Sequence, residues 1–437
     1  LEFIAEKVPE LGFKTWYILP IDKKIEENSP QPRVSVLENQ YFKISVTNNG
    51  QLSVLDKRNG ARWDDLLLFE DRGDDGDEYD YAPMREPSPV FSRDSKPEIS
   101  EVTQTGVKSS LTIKHILQVP FSVTKQRERS KETVDLSIKI TLNLYEKVPL
   151  LNLNITVINN AEDHRLRVLF PTHVETDVSH AADHFMVMER DIKLPRDDGW
   201  YQPAQGLYHT DGFIDLSDGK KGLAVFTKGL PEYEILSDEH NAIAVTLFRS
   251  VGWLSRGGQP RAPGHLGRPS GVNGPHLPTP GAQCKREMHF ELAICPHQGM
   301  WNDACLQKYM SIFQSPLIGL LNSKQESYYE PAMKDSDIKP IEFDEECFIK
   351  VEPDCIVVTA VKRAEKSQDL VIRLFNPEKR EIDGSIWLSF KPVSVSLVNL
   401  REDFLQSIMH YKSKFEFQVK PEQIMTFLVT PKRYSNN

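Results

Sequence analysis

A mainly-β chain, one large antiparallel sandwich followed by a smaller one, is predicted by three features of the sequence. Apolar residues recur at every second position over long stretches, turn dipeptides separate those stretches, and helical periodicity is scarce. The clearest alternation runs through Val134, Leu136, Ile138, Ile140, Leu142 and Leu144, with Asp135, Ser137, Lys139, Thr141 and Asn143 between them. After a turn at Lys147-Val148-Pro149 the same alternation resumes over 151–157. Successive strand side chains point to opposite faces, so each of these strands buries one face and wets the other.

The remaining elements follow from local signals. Segments 42–46 and 52–54 flank Asn48-Asn49-Gly50, a hairpin signal, and Asn59-Gly60 marks the next turn. Further strands are expected at 221–226, 243–248, 288–294, 356–361, 370–375, 386–390, 415–419 and 424–429. One helix is expected at 301–313, with Asn302 as its N-cap and Cys305, Met310 and Ile312 among its apolar residues. Residues 256–281 hold seven Gly and six Pro and read as a long irregular loop, and polar 322–340 reads as a connector. The expected organisation is a lead-in at 1–33 from an upstream domain, a large β-sandwich domain at 34–315, a linker at 316–339 and a small sandwich at 340–437. The chain opens at Leu1 with no initiator Met, and the expectation is a piece of a longer protein.

Composition narrows the function. Lys and Arg total 53 against 63 Asp and Glu, a formal net charge of −10, which argues against a role that neutralises many phosphates of a nucleic acid. No run of 18 apolar residues occurs, so no helical membrane span is expected. Five cysteines without CxxC spacing read as free thiols in a reducing compartment.

The sharpest local feature is Asp74-Asp75-Gly76-Asp77-Glu78-Tyr79-Asp80-Tyr81, five carboxylates and two tyrosines in eight residues. Carboxylates accept from vicinal hydroxyls, and tyrosines add an aromatic face and a hydroxyl, so the loop is suited to a sugar; a solvated acidic loop is the bland alternative. The order of residues does not meet a calcium loop. Histidines gather at His164, His173, His180, His184 and His209, but His180 and His184 lack the Glu of an H-E-x-x-H site, Ala standing at 181, and no metal site is expected. Arg165 and Arg167 fall on one face of a strand and Leu166, Val168 and Phe170 on the other; such arginines can grip an anion bidentately, but outward-facing, solvated arginines are commoner on a sandwich and are the expectation. Arg249 and Arg256 bracket the passage from a buried strand into the Gly/Pro loop, where binding residues concentrate. Trp200, Tyr201, Tyr208 and Trp253 could stack on sugar rings, though core or loop packing is the commoner role.

Taken together, 76–83, 163–172, 222–226, 246–252, Arg268-Pro269-Ser270-Gly271 and 370–377 resemble, in order, the C-terminal half of glycoside hydrolase family 38, and within it bacterial α-mannosidases of the mannosylglycerate hydrolase type. The resemblance implies a galactose mutarotase-like super-β-sandwich and, for the intact protein, retaining hydrolysis of α-mannosides at a zinc site. Mannosylglycerate or its phosphorylated form is among the substrates it suggests. It implies that the zinc ligands and the Asp nucleophile lie upstream, in an α/β barrel and a helical domain, so neither catalytic residues nor a bound metal are expected in this chain. By motif matching, Tyr79 corresponds to a sugar-contacting tyrosine, Arg249 is the first choice and Arg256 the second for a contacting arginine, and Asp77 and Asp80 line the pocket. The expected partners are the mannoside and the upstream domains, with no nucleic acid and no membrane, in the bacterial cytoplasm; a homo-oligomer is left open. A stand-alone carbohydrate-binding sandwich is the competing reading.

Overall fold

The computed structural model describes residues 2–17, 35–84, 88–198, 200, 204–255, 277–320 and 344–432. The chain divides into two compact units. The first comprises residues 1–3 and 29–306, and the second 4–28 and 307–437.

Among the described residues the first unit contains three antiparallel sheets. The largest has ten strands and is built around the long hairpin Lys108–Pro120 with Thr133–Tyr145, which pair along their whole length. The alternation read from the sequence is the burial pattern here: Leu136, Ile138, Ile140, Leu142 and Leu144 are buried on one side. Leu151–Ile158 continues that sheet into Glu287–Gln298 and then Lys221–Lys228. The second sheet runs in the order Tyr208–His209, Glu232–Leu236, Ala242–Ser250, His164–Pro171, Leu68–Gly73 and Val90–Phe91. The third has four strands and includes the expected hairpin, Phe42–Val46 with Leu52–Asp56. Its turn needs glycine twice over. Gly50 has φ +80°, and a Cβ on it would lie 2.6 Å from Nε2 of His115.

Apolar side chains of all three sheets meet in one core, which includes Phe42, Ile44 and Trp63 from the four-stranded sheet, Leu136 and Ile138 from the ten-stranded one, and Leu166, Val168 and Phe170 from the six-stranded one. Fully burying a side chain of this size contributes about 1.5–3 kcal/mol, so strict alternation over thirteen-residue strands is sufficient to fix which face turns inward.

In the second unit a four-stranded and a five-stranded sheet enclose a separate core, with Ile349, Val351, Ile386, Phe415 and Phe417 against Ile372, Leu374, Val395 and Phe427. Gly12–Lys14, from the segment read as a lead-in, pairs antiparallel with Glu345–Cys347 and groups with this unit. The mainly-β fold class with multiple antiparallel sheets is therefore what the chain adopts, and the expected strands are present, with Ile382–Leu388 beginning four residues before the predicted start.

The helix differs from expectation. It spans Leu306–Gln314, not 301–313. Residues 301–305 form turns, and Cys305 takes φ +54°, a left-handed conformation that cannot propagate an α-helix. Asn302 therefore caps nothing; its carbonyl accepts from the N–H of Cys305 at 3.1 Å.

Candidate substrate-binding site

The acidic loop leaves the strand Leu68–Gly73 and closes on itself. Asp74 bridges Pro83, and its Oδ1 accepts the backbone N–H of Gly76 at 2.9 Å and of Ala82 at 3.2 Å. Asp75 donates its N–H to the Ala82 carbonyl at 3.0 Å and forms an ion pair with Arg127. Asp77 Oδ1 accepts the N–H groups of Tyr79 and Asp80, both at 3.0 Å, so this carboxylate caps the tip. Gly76 is required by close approach: a Cβ there would lie 2.1 Å from the Asp80 carbonyl oxygen.

Arg249 holds the loop from Ala242–Ser250, two strands along the same sheet. Its Nε donates to Asp74 Oδ2 at 2.7 Å, and its Nη2 donates to the carbonyls of Asp77 and Asp80 at 2.9 and 2.8 Å. Burial pushes the Asp74 carboxyl above its usual range, with Arg249 opposing that shift. Glu78 donates its N–H to the carbonyl of Trp253 at 3.0 Å, tying the tip to the start of the Gly/Pro loop.

The structure thus brings Asp77, Tyr79, Asp80 and Arg249 together in one constellation. Their side chains are not equivalent. Tyr79 stands at the tip with 68% of its surface exposed, whereas Asp77 is fully buried and its charge serves the loop's own backbone. Asp80 is half-buried beside them. Arg256 and Tyr201 lie outside the described residues. Trp200 is exposed; Tyr208 packs against Tyr233 and under Arg190.

Arg165 and Arg167 are not the solvated surface arginines expected from their pattern. They do face away from the core, but both are nearly fully buried, at 3% and 2% exposure. Arg167 is held between Glu70 (Nε to Oε2, 2.8 Å) and Glu234 (Nη1 to Oε2, 2.5 Å). Arg165 lies on the ring of Tyr81, 3.6 Å from its centroid. Burial raises the Tyr81 hydroxyl pKa, Arg165 working against it. On the core side of the same strand, His164 hydrogen-bonds Asp71 through Nδ1 at 2.5 Å and Asn159 through Nε2 at 3.0 Å. Burial opposes the charge of Asp71, but His164 and Arg129 outweigh it and hold its carboxyl below the usual range. Glu70, Asp71 and Arg129 were not singled out from sequence, because their partners are tens of residues away.

Three ligand-type groups converge elsewhere. Asp183 Oδ1 lies 3.0 Å from Nδ1 of His184 and 3.1 Å from Nδ1 of His209, whose imidazoles stack. His184 therefore pairs with His209 and not with His180, which faces Glu189 at 3.3 Å. The Asp183 carboxylate already accepts the His184 N–H at 2.8 Å and Nη2 of Arg190 at 3.1 Å. An exposed cluster with a guanidinium on its one carboxylate does not fit a catalytic zinc, which needs deprotonated ligands in a sheltered, open-sided site.

The sequence of these two units matches domains of a glycoside hydrolase family. The chain belongs to glycosyl hydrolase family 38: the family's C-terminal domain model matches residues 37–260, and its C-terminal beta sandwich domain model matches 356–427. The "Putative mannosylglycerate hydrolase" of Halalkalibacterium halodurans is 26% identical over 435 residues, covering 95% of this chain and 44% of that protein. An alpha-mannosidase from Enterococcus faecalis V583 superposes with a TM-score of 0.75 at 26% identity, over 92% of this chain and 42% of that one. A second family 38 glycosyl hydrolase from Enterococcus faecalis gives 0.74 at 25% identity, over 93% and 45%. The chain spans less than half the length of each of these relatives.

Proposed function

We propose that this chain is the non-catalytic β-sandwich half of a retaining, zinc-dependent α-mannosidase of family 38, and that its share of the reaction is to position the sugar. The observation that carries the reading is a loop whose backbone is locked by Asp74, Asp77 and Arg249 while Tyr79 stands exposed at its tip. A clamped loop presents the Tyr79 hydroxyl and ring edge at a fixed place, which is what discriminating among sugar hydroxyls requires. Asp80 adds an acceptor beside it. Arg249 has its Nη1 left over from holding the loop, and that group is the donor assigned to the substrate.

Zinc, with the nucleophile, is assigned to residues outside this chain, where it would polarise the reacting sugar. The Asp183 group does not suit it. Mannosylglycerate or its phosphorylated form is the substrate suggested by the relative from Halalkalibacterium. We assign the protein to the bacterial cytoplasm; five free cysteines, Cys295 buried with its thiol pushed up to about 12 by burial, support that assignment.

The test compares this chain with a longer protein that includes the upstream residues, each supplied with zinc and an aryl α-mannoside. Turnover is expected only from the longer protein, and Tyr79→Phe should raise its KM with little change in folding. Hydrolysis by this chain alone would overturn the assignment of the catalytic groups.

A further inference from the structure

Three adjacent strands place arginines at the same register on the outer face of the six-stranded sheet. Arg165 is directly opposite Arg72 on one side and Arg249 on the other. Like charges opposed across strands repel, so such a row persists only where anions neutralise it. For two of the three, the neutralising group is present: Arg72 Nε donates to Glu70 Oε1 at 2.6 Å, and Arg249 Nε to Asp74 at 2.7 Å.

The central arginine is different. Arg165 is 97% buried by its 3% exposure, yet its Nε and Nη1 have no hydrogen-bond partner. The nearest carboxylate oxygen, Glu232 Oε1, is 3.7 Å away and already accepts from Thr246 Oγ1 at 2.6 Å. A buried guanidinium left without acceptors is among the most costly arrangements a fold can retain. Burial, with the adjacent Arg167 cation, pushes the Arg165 pKa down, the sign expected where anionic partners are too few. Tyr81 covers one face of the guanidinium. The Tyr81 hydroxyl and the two terminal nitrogens of Arg72 make no hydrogen bond either, and Arg72, opposite Arg165 in the sheet, acts electrostatically on Tyr81.

We infer that Arg165, Arg72 and the Tyr81 hydroxyl form a binding site for a small oxyanion, a carboxylate or a phosphate. A planar guanidinium fork pairs two oxygens of either group, and the Tyr81 hydroxyl and the second arginine supply the remaining donors. Tyr81 and Tyr79 belong to the same loop, so an acid group held here would lie on the molecule that the loop receives, although the oxyanion site stands independently of the mannoside reading.

The test uses this chain and no sugar. Inorganic phosphate and glycerate are titrated separately, with chloride at matched ionic strength and glycerol as the uncharged control, following thermal midpoint and heat of binding. Saturable binding of at least one anion is expected, and which one binds more tightly distinguishes the phosphate from the carboxylate. Losing one charge-assisted hydrogen bond should weaken binding about tenfold or more, so Arg165→Gln and Tyr81→Phe are both expected to reduce affinity, and Arg165→Lys by less than Arg165→Gln. Tyr81→Phe and Arg72→Gln keep the test decisive if Arg165→Gln does not fold. Equal responses to phosphate, glycerate and chloride, or anion binding unchanged in both Tyr81→Phe and Arg72→Gln, would overturn the site. Tyr79→Phe should leave anion binding intact, which separates failure here from failure of the mannoside reading.

Discussion

The two units follow the same alternation rule but use their buried polar groups differently. The smaller unit encloses an almost wholly apolar core, and among its described residues the buried charge is Glu378, paired with Arg380 at 2.6 Å. The larger unit buries Asp56, Glu70, Asp71, Asp74, Asp75, Asp77, Arg165, Arg167 and Asp215. Packing apolar faces is enough to build a sandwich, as the smaller unit demonstrates. Buried ion pairs add little to net stability over apolar replacements, so the concentration of all but Asp56 and Asp215 on the six-stranded sheet and its acidic loop points to binding and not to scaffolding.

The sharpest contrast should come from removing one member of each kind of core. Asp71→Ala leaves Arg129 and His164 facing a buried void without their anion and should cost about 3–5 kcal/mol. Denaturant unfolding of this chain would measure that cost, and hydrogen exchange should rise in His164–Pro171. Phe427→Ala deletes a fully buried ring of the smaller core, which packs on Phe415 and Phe417, and should cost about 3–5 kcal/mol with exchange rising in Ile424–Pro431 instead. If Asp71→Ala proved neutral, the polar network would be decoration and the contrast would collapse.

Gly76→Ala should be milder, about 1–3 kcal/mol, because the added methyl must push the Asp80 carbonyl aside and distort the tip locally. Its thermal midpoint should fall, and proteolysis should find the loop sooner.

A pH experiment probes a single polar group. Ser95 Oγ donates to the Ser92 carbonyl, so it accepts from Nδ1 of His115, leaving Nε2 buried with no partner. Burial depresses the His115 pKa from 6.5 to about 4. The unfolded chain therefore takes up this proton first as the solution is acidified. The stabilisation from keeping His115 neutral is complete above about 6.5 and is lost progressively as pH falls towards about 4. His115→Phe should flatten that part of the stability profile; an unchanged slope would assign it to other groups. The smallest effect is expected for Tyr79→Phe, within about 0.5 kcal/mol in stability, because the side chain is exposed.

Much of the fold could be read from residues alone, since period-two alternation over 134–144 states both strand and face. Alternation does not say what covers a face. That is why Arg165 and Arg167 read as solvated, although the sheet's outer side buries them against Tyr81, Glu70 and Glu234. Ion partners such as Glu70, Arg167 and Glu234 are brought together only by strand order, which a single sequence does not encode locally. The helix start was misplaced for a different reason: nothing in the residue type announces that Cys305 adopts a left-handed backbone. Within the acidic loop the composition was legible, but the division of labour was not. Asp74 and Asp77, which look like ligands for a sugar, serve the loop's own amides, and Tyr79 is left to face outward.

Because Asp74 fastens the loop at both Gly76 and Ala82, with Arg249 bracing the tip, there is little chain left to organise when a ligand arrives. Encounter should then proceed without a slow rearrangement step. Differences between good and poor ligands should be written in how long each stays and much less in how fast each arrives.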